Sequence, residues 1–80
     1  MYYLYIVQCA DETLYTGIAV DLDERIKQHN SSKFGAKYTR SRRPVALVYS
    51  KKYKNRSSAL KAEYKIKLLS KKEKLALINS

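Results

Sequence analysis

At 80 residues, 45% of them hydrophobic, the chain has room for one domain, residues 1–80, with a thin core, and is too apolar for a disordered basic tail. A single cysteine excludes an internal disulfide and suits a reducing, cytoplasmic setting, and no apolar run approaches the ~18 residues of a membrane span. The net charge of +10 is one-sided: residues 1–24 hold five acids and no base, whereas residues 25–80 hold 17 bases and two acids, a net of +15. A field of that shape attracts a polyanion, nucleic acid ahead of an anionic membrane, the alternative being a merely solvated surface.

Residues 2–9, rich in tyrosine with Leu4, Ile6 and Val7, predict a strand. Ala10 to Glu12 carry turn character through Asp11, and Thr13 to Ala19 predict the return strand of a hairpin. Asp21 and Glu24 form an acidic capping box, so a helix is expected from Leu22 to about Asn30. Residues 31–43 read as a basic loop, and Pro44 opens a third strand from Val45 to Tyr49, with Lys51 as its outer limit. Ser57 or Ser58 is placed to cap a second helix, Ala59 to Leu69, and Ser70 with Glu73 forms a second capping box, starting a third helix that ends near Ile78. The expected fold is α+β, order β-β-α-β-α-α: a small three-stranded antiparallel sheet flanked by helices.

Several side chains could carry chemistry. Tyr5 and Tyr15 would face the same side of the hairpin, one or two rungs apart. Gly17 sits inside a strand, where glycine is unfavourable unless a phosphate or another backbone needs the space. Arg25 and His29, one turn apart, border the buried stripe of the first helix. Arginine can clamp phosphate oxygens, and neutral histidine can hydrogen-bond a phosphate or a water; the plainer reading pairs Arg25 with Asp21 and leaves His29 at a core edge. Glu63 falls between two apolar bands of its helix, where a carboxylate needs a partner: a hard cation, or Lys67 at i, i+4. Lys33, Lys37, Arg40, Arg42 and Arg43, interleaved with Phe34 and Tyr38, suit contact with phosphates and unpaired bases.

The ordered set resembles the GIY-YIG nuclease superfamily, and more closely its small stand-alone bacterial members. The residues that carry the likeness are Tyr3-Leu4-Tyr5-Ile6, Leu14-Tyr15-Thr16-Gly17-Ile18, Asp21-Leu22 with Arg25, His29-Asn30, Ala36-Lys37-Tyr38-Thr39-Arg40, Arg42-Arg43-Pro44 and Glu63. Leu4 departs from the glycine usual near the first motif, and the late asparagine of nuclease members has only Asn79 as its counterpart. The resemblance implies hydrolysis of DNA phosphodiesters, in repair or recombination, with Tyr5, Tyr15, Arg25 and His29 as catalytic residues gathered, together with Glu63, in one cleft. It further implies that Glu63 holds one Mg²⁺ or Mn²⁺, that DNA is a better partner than RNA, and that another protein supplies target choice. Tyr15, or a water it contacts, would take the proton of the attacking water. The competing reading keeps the fold and the basic face as a non-catalytic nucleic-acid-binding module.

Overall fold

The computed structural model describes residues 1–31, 39 and 41–79. In chain order the elements are β1 (Tyr2–Gln8), β2 (Leu14–Ala19), α1 (Leu22–Ser31), β3 (Ala46–Tyr53), α2 (Arg56–Lys67) and α3 (Lys71–Ile78). The sheet is antiparallel with strand order β2-β1-β3. The expected α+β architecture is present.

The central strand explains why the N-terminal run is so apolar. β1 is covered on both faces, and Leu4, Tyr5, Ile6 and Val7 are all buried. Alternation along the strand divides the core in two. Tyr5 and Val7 join Cys9 and Val45 on one face, with Tyr15, Ala19, Leu22 and Ile26 packed against them, so α1 covers this side. Leu4 and Ile6 join Ile66 on the other, with Leu14, Ile18, Val48, Ala62, Leu69, Leu77 and Ile78 around them, so α2 and α3 cover that side. Each such aliphatic side chain stabilises the fold by about 1.5–3 kcal/mol when removed from water.

Local chemistry sets the element ends. The β1–β2 turn is closed by Cys9 N–H to Thr13 O and by Asp11, whose Oδ1 accepts from the Thr13 hydroxyl at 2.6 Å and from its N–H at 3.2 Å. Glu12 takes a φ of 68°, a left-handed value that is uncommon for a residue with a side chain. Asp21 Oδ1 caps α1 through the Glu24 N–H at 3.0 Å. The Ser70–Glu73 capping box is complete.

Element ends differ from expectation by a residue or two in several places, and two differences have a visible cause. α2 starts at Arg56 rather than Ala59, because Asn55, not Ser57 or Ser58, is its cap: its side chain accepts from Ser58 N at 2.8 Å. β3 runs on to Tyr53, since Lys51, Lys52 and Tyr53 pair with Leu4, Tyr3 and Tyr2. Exposed lysines suit an edge strand, and two of them rest over the Tyr53 and Tyr3 rings. A register shift opposite Ile6 and Val7 accommodates the extra residue in β3.

Candidate active site

The site grows from the pairing of Tyr5 with Gly17 across the β1–β2 ladder. A Cβ on Gly17 would stand 2.6 Å from the Tyr5 hydroxyl and 2.8 Å from its Cζ. Gly17 is therefore glycine because the Tyr5 ring lies across it; the space belongs to a side chain, neither to a phosphate nor to another backbone. Tyr15 pairs with Val7, one same-face step along the hairpin, as the alternation predicts.

α1 lies over this face and delivers His29, which is completely buried rather than at a core edge. Its Nε2 is 2.8 Å from the Tyr5 hydroxyl and its Nδ1 is 2.7 Å from the Thr39 hydroxyl. Both tyrosine rings meet the imidazole edge-on, at centroid distances of 5.7 Å for Tyr5 and 5.5 Å for Tyr15. Burial, reinforced by the positive charges of Arg25 and Arg43, pushes the His29 pKa down to about 4, so the ring is neutral at physiological pH. Burial also raises the Tyr5 pKa; hydrogen bonding by Arg25 and its charge oppose that, while Tyr15 and Glu63 add to it. Tyr5 is thus a protonated phenol held between an imidazole and a guanidinium. Arg25 also donates to Gln28 Oε1 at 3.0 Å, so its side chain turns along the helix and toward Tyr5.

The expectation that Glu63 shares the tyrosines' cleft differs from what is seen, because the apolar bands on either side of Glu63 dock α2 against the Leu4 and Ile6 face of the sheet. The helix packs beneath β1 and β2 on the face opposite Tyr5 and Tyr15, yet the charge of Glu63 acts on the Tyr5 phenol. The carboxylate is 18% exposed, and Lys67 stands 3.6 Å away, so the i, i+4 pairing is present as a loose ion pair. Among the described residues no three His, Cys, Asp or Glu side chains cluster as a ready metal cage, and both His29 nitrogens are engaged by hydroxyls. One carboxylate as the sole protein donor fits a hard cation that keeps most of its waters and takes phosphate oxygens. It does not fit zinc, which requires several protein ligands.

Of the residues expected to meet nucleic acid, Arg42 and Arg43 are among those described. Arg42 pairs with Asp11 at 3.0 Å, and its carbonyl accepts from the Ala10 N–H, which ties this segment to the hairpin turn. Arg43 donates through Nε to the His29 carbonyl and through a terminal nitrogen to Gln28 O at 3.3 Å, satisfying carbonyls at the C-terminal end of α1. Arg42 and Arg43, two of the three arginines expected to contact nucleic acid, therefore also brace the fold. Lys33, Lys37, Tyr38 and Arg40 lie outside the described residues.

Two polar residues gain roles that sequence reading had not assigned. Thr39 is buried against His29, ten residues away, with no local spacing to announce it. Asn30 spans to the backbone of Val45, accepting from its N–H at 2.6 Å and donating to its carbonyl at 3.0 Å, so α1 is joined to the start of β3. A hollow of about 460 Å³ lined by Tyr3, Val20, Asp21, Leu22 and Asp23 stands apart from this cluster, and its two acids suit no phosphate.

Comparison with known proteins finds relatives over nearly the whole chain. The family model for the GIY-YIG catalytic domain matches residues 1–76. A UPF0213 protein of Desulfotalea psychrophila is 56% identical over 79 residues, spanning 99% of this chain and 72% of that protein. A UPF0213 protein of Staphylococcus saprophyticus is 53% identical over 98% of this chain and 94% of its own length. The solution NMR structure of a UPF0213 protein of Bacillus halodurans superposes with a TM-score of 0.63 at 42% identity, covering 99% of this chain and 84% of that one.

Proposed function

The chain belongs to the GIY-YIG family, and on that premise we propose that it hydrolyses phosphodiester bonds in DNA, acting in repair or recombination as one catalytic domain of residues 1–80. The observation that carries this reading is the meeting of Tyr5, Tyr15, Arg25 and His29 on one face of the hairpin, from positions far apart in the chain. The Arg25 guanidinium clamps the scissile phosphate and neutralises charge that builds as the bond to the leaving oxygen breaks. Tyr15, less buried than Tyr5, meets the attacking water: its oxygen takes the water's proton, directly or through a second water, as its own O–H proton passes to solvent, and a water protonates the leaving oxygen. Tyr5 stays protonated and, with His29, holds the Tyr15 ring and the phosphate in place. Net of these transfers, the hydroxyl of one water ends on phosphorus and one proton on the leaving oxygen.

Glu63 would hold one Mg²⁺ or Mn²⁺, with Lys67 giving way. Such an ion, when bound, supplies further charge neutralisation at the phosphate. Lys33, Lys37 and Arg40, with Arg42 and Arg43 at the edge of the same segment, would follow the backbone of the nucleic acid, and Tyr38 would stack on an unpaired base. The same reading puts the protein in the cytoplasm, where the buried Cys9 stays reduced, and leaves target choice to a partner protein.

The test is cleavage of branched, flapped and single-stranded DNA with Mg²⁺, Mn²⁺ or chelator, comparing wild type with Glu63→Gln. Metal-dependent cleavage by wild type, lowered about a hundredfold or more in the variant while DNA binding persists, is expected. Equal cleavage by both proteins would overturn the role of Glu63. Binding without cleavage by wild type on every substrate would replace the nuclease with a binding module of the same fold.

A further inference from the structure

We infer that Thr39 is a positioning residue of this site: its hydroxyl accepts a hydrogen bond from His29 Nδ1–H and so holds the tautomer whose bare Nε2 faces the Tyr5 hydroxyl. The inference about the tautomer stands on the hydrogen bonds that meet at His29 and Tyr5; its catalytic consequence rests on the nuclease reading above.

A neutral imidazole has one donor and one acceptor, and both ring nitrogens of His29 are engaged, Nε2 by Tyr5 at 2.8 Å and Nδ1 by Thr39 at 2.7 Å. Tyr5 is 1% exposed, and His29 and Thr39 are 0% exposed, so water does not replace either partner. A guanidinium can only donate, so where Arg25 bonds the phenol oxygen it occupies an acceptor site there. The phenol's own proton is then directed to the remaining partner, His29 Nε2. That nitrogen must be bare, and the ring's proton sits on Nδ1, aimed at Thr39 Oγ1. The opposite tautomer would set Nε2–H against an oxygen already accepting from Arg25, and would leave the buried phenol proton without its acceptor.

Thr39 also holds the ring's orientation. A half-turn about Cβ–Cγ would exchange each nitrogen for a carbon and present C–H groups to both hydroxyls. With the ring held at both ends, its edges stay against Tyr5 and Tyr15, and its burial, helped by the charges of Arg25 and Arg43, keeps it from taking a second proton. The reading therefore makes the chain Thr39–His29–Tyr5 the support on which the half-buried Tyr15 is placed.

His29 is the only histidine in the chain, so two-bond ¹⁵N–¹H correlation reads its tautomer without overlap. Wild type at pH 7 should show a protonated Nδ1 and a bare Nε2. In Thr39→Val the tautomer ratio should fall about tenfold, the order expected for one lost hydrogen bond, and Thr39→Ser should keep the wild-type spectrum. An Nε2–H tautomer in wild type, or an unchanged ratio in Thr39→Val, overturns the inference; if the valine variant does not fold, the wild-type and serine spectra decide. In the cleavage assay Thr39→Val should lower kcat about tenfold with KM held, and Thr39→Ser should restore it. An unchanged kcat removes the catalytic half of the inference. Absence of cleavage by wild type removes the nuclease reading instead, and the spectra still decide what Thr39 does to His29.

Discussion

Replacing Gly17 with alanine tests the closest packing in the site. The added Cβ would lie 2.6 Å from Tyr5 Oη, 2.8 Å from Cζ and 3.2 Å from Cε2, where ordinary contact begins near 3.4 Å. The ring tip must then move by about 0.8 Å, and Tyr5 is buried between the strand and α1. Such a shift is large against the roughly 0.5 Å width of a good hydrogen bond, so the 2.8 Å bond to His29 should be strained or lost. Overpacking costs about 1–3 kcal/mol and the lost bond about 1 kcal/mol, while alanine in a strand regains about 0.5–1 kcal/mol over glycine. A net destabilisation of about 2–3 kcal/mol is expected in urea unfolding, as a lower midpoint at unchanged slope. Adding Tyr5→Phe should recover only part of it, because Cζ remains within 2.8 Å after the hydroxyl is gone. A Gly17→Ala protein as stable as wild type would refute the account of why this strand carries glycine.

Three further outcomes follow from the same contacts. His29 has a pKa near 4 in the fold against 6.5 as a free side chain, so unfolding takes up a proton between these values; its contribution is full above about pH 6.5 and is lost as pH falls toward 4. About 2 kcal/mol should be gone by pH 5, read from urea midpoints at pH 7, 6 and 5, and a flat profile would contradict a buried neutral ring. Thr16 is 3% exposed and its hydroxyl has no hydrogen-bond partner among the described residues, so Thr16→Val, nearly the same shape, should raise stability by about 1–2 kcal/mol; a loss would mean that the hydroxyl has a partner. Asn30→Ala leaves both polar groups of the buried Val45 backbone unpaired and should lower stability by about 2–3 kcal/mol, with faster amide exchange at Val45 as the local sign.

The strands, the helices and the facing of Tyr5 and Tyr15 were legible because they depend on periodicity and on groups within a few residues. Alternation in β1 and β2, the Asp21 cap and the Ser70–Glu73 box each act over less than two turns of chain. Where the reading slipped, a nearer competitor won: Asn55 caps α2 more effectively than the serines after it. Long-range contacts were not legible. No spacing says that Tyr5 lies across Gly17, that Thr39 meets His29, or that Arg43 ends α1, because side chains 10 to 24 residues apart meet only after the sheet and α1 have packed. Charge shows the same division. The sequence alone determined that the chain after Glu24 is strongly basic, since formal charge needs no coordinates. Only the tertiary structure decided that Arg42 and Arg43 have partners within the fold and that Glu63 comes from the far side of the sheet. A charge is a property of a residue, but the group that answers it is a property of the packing.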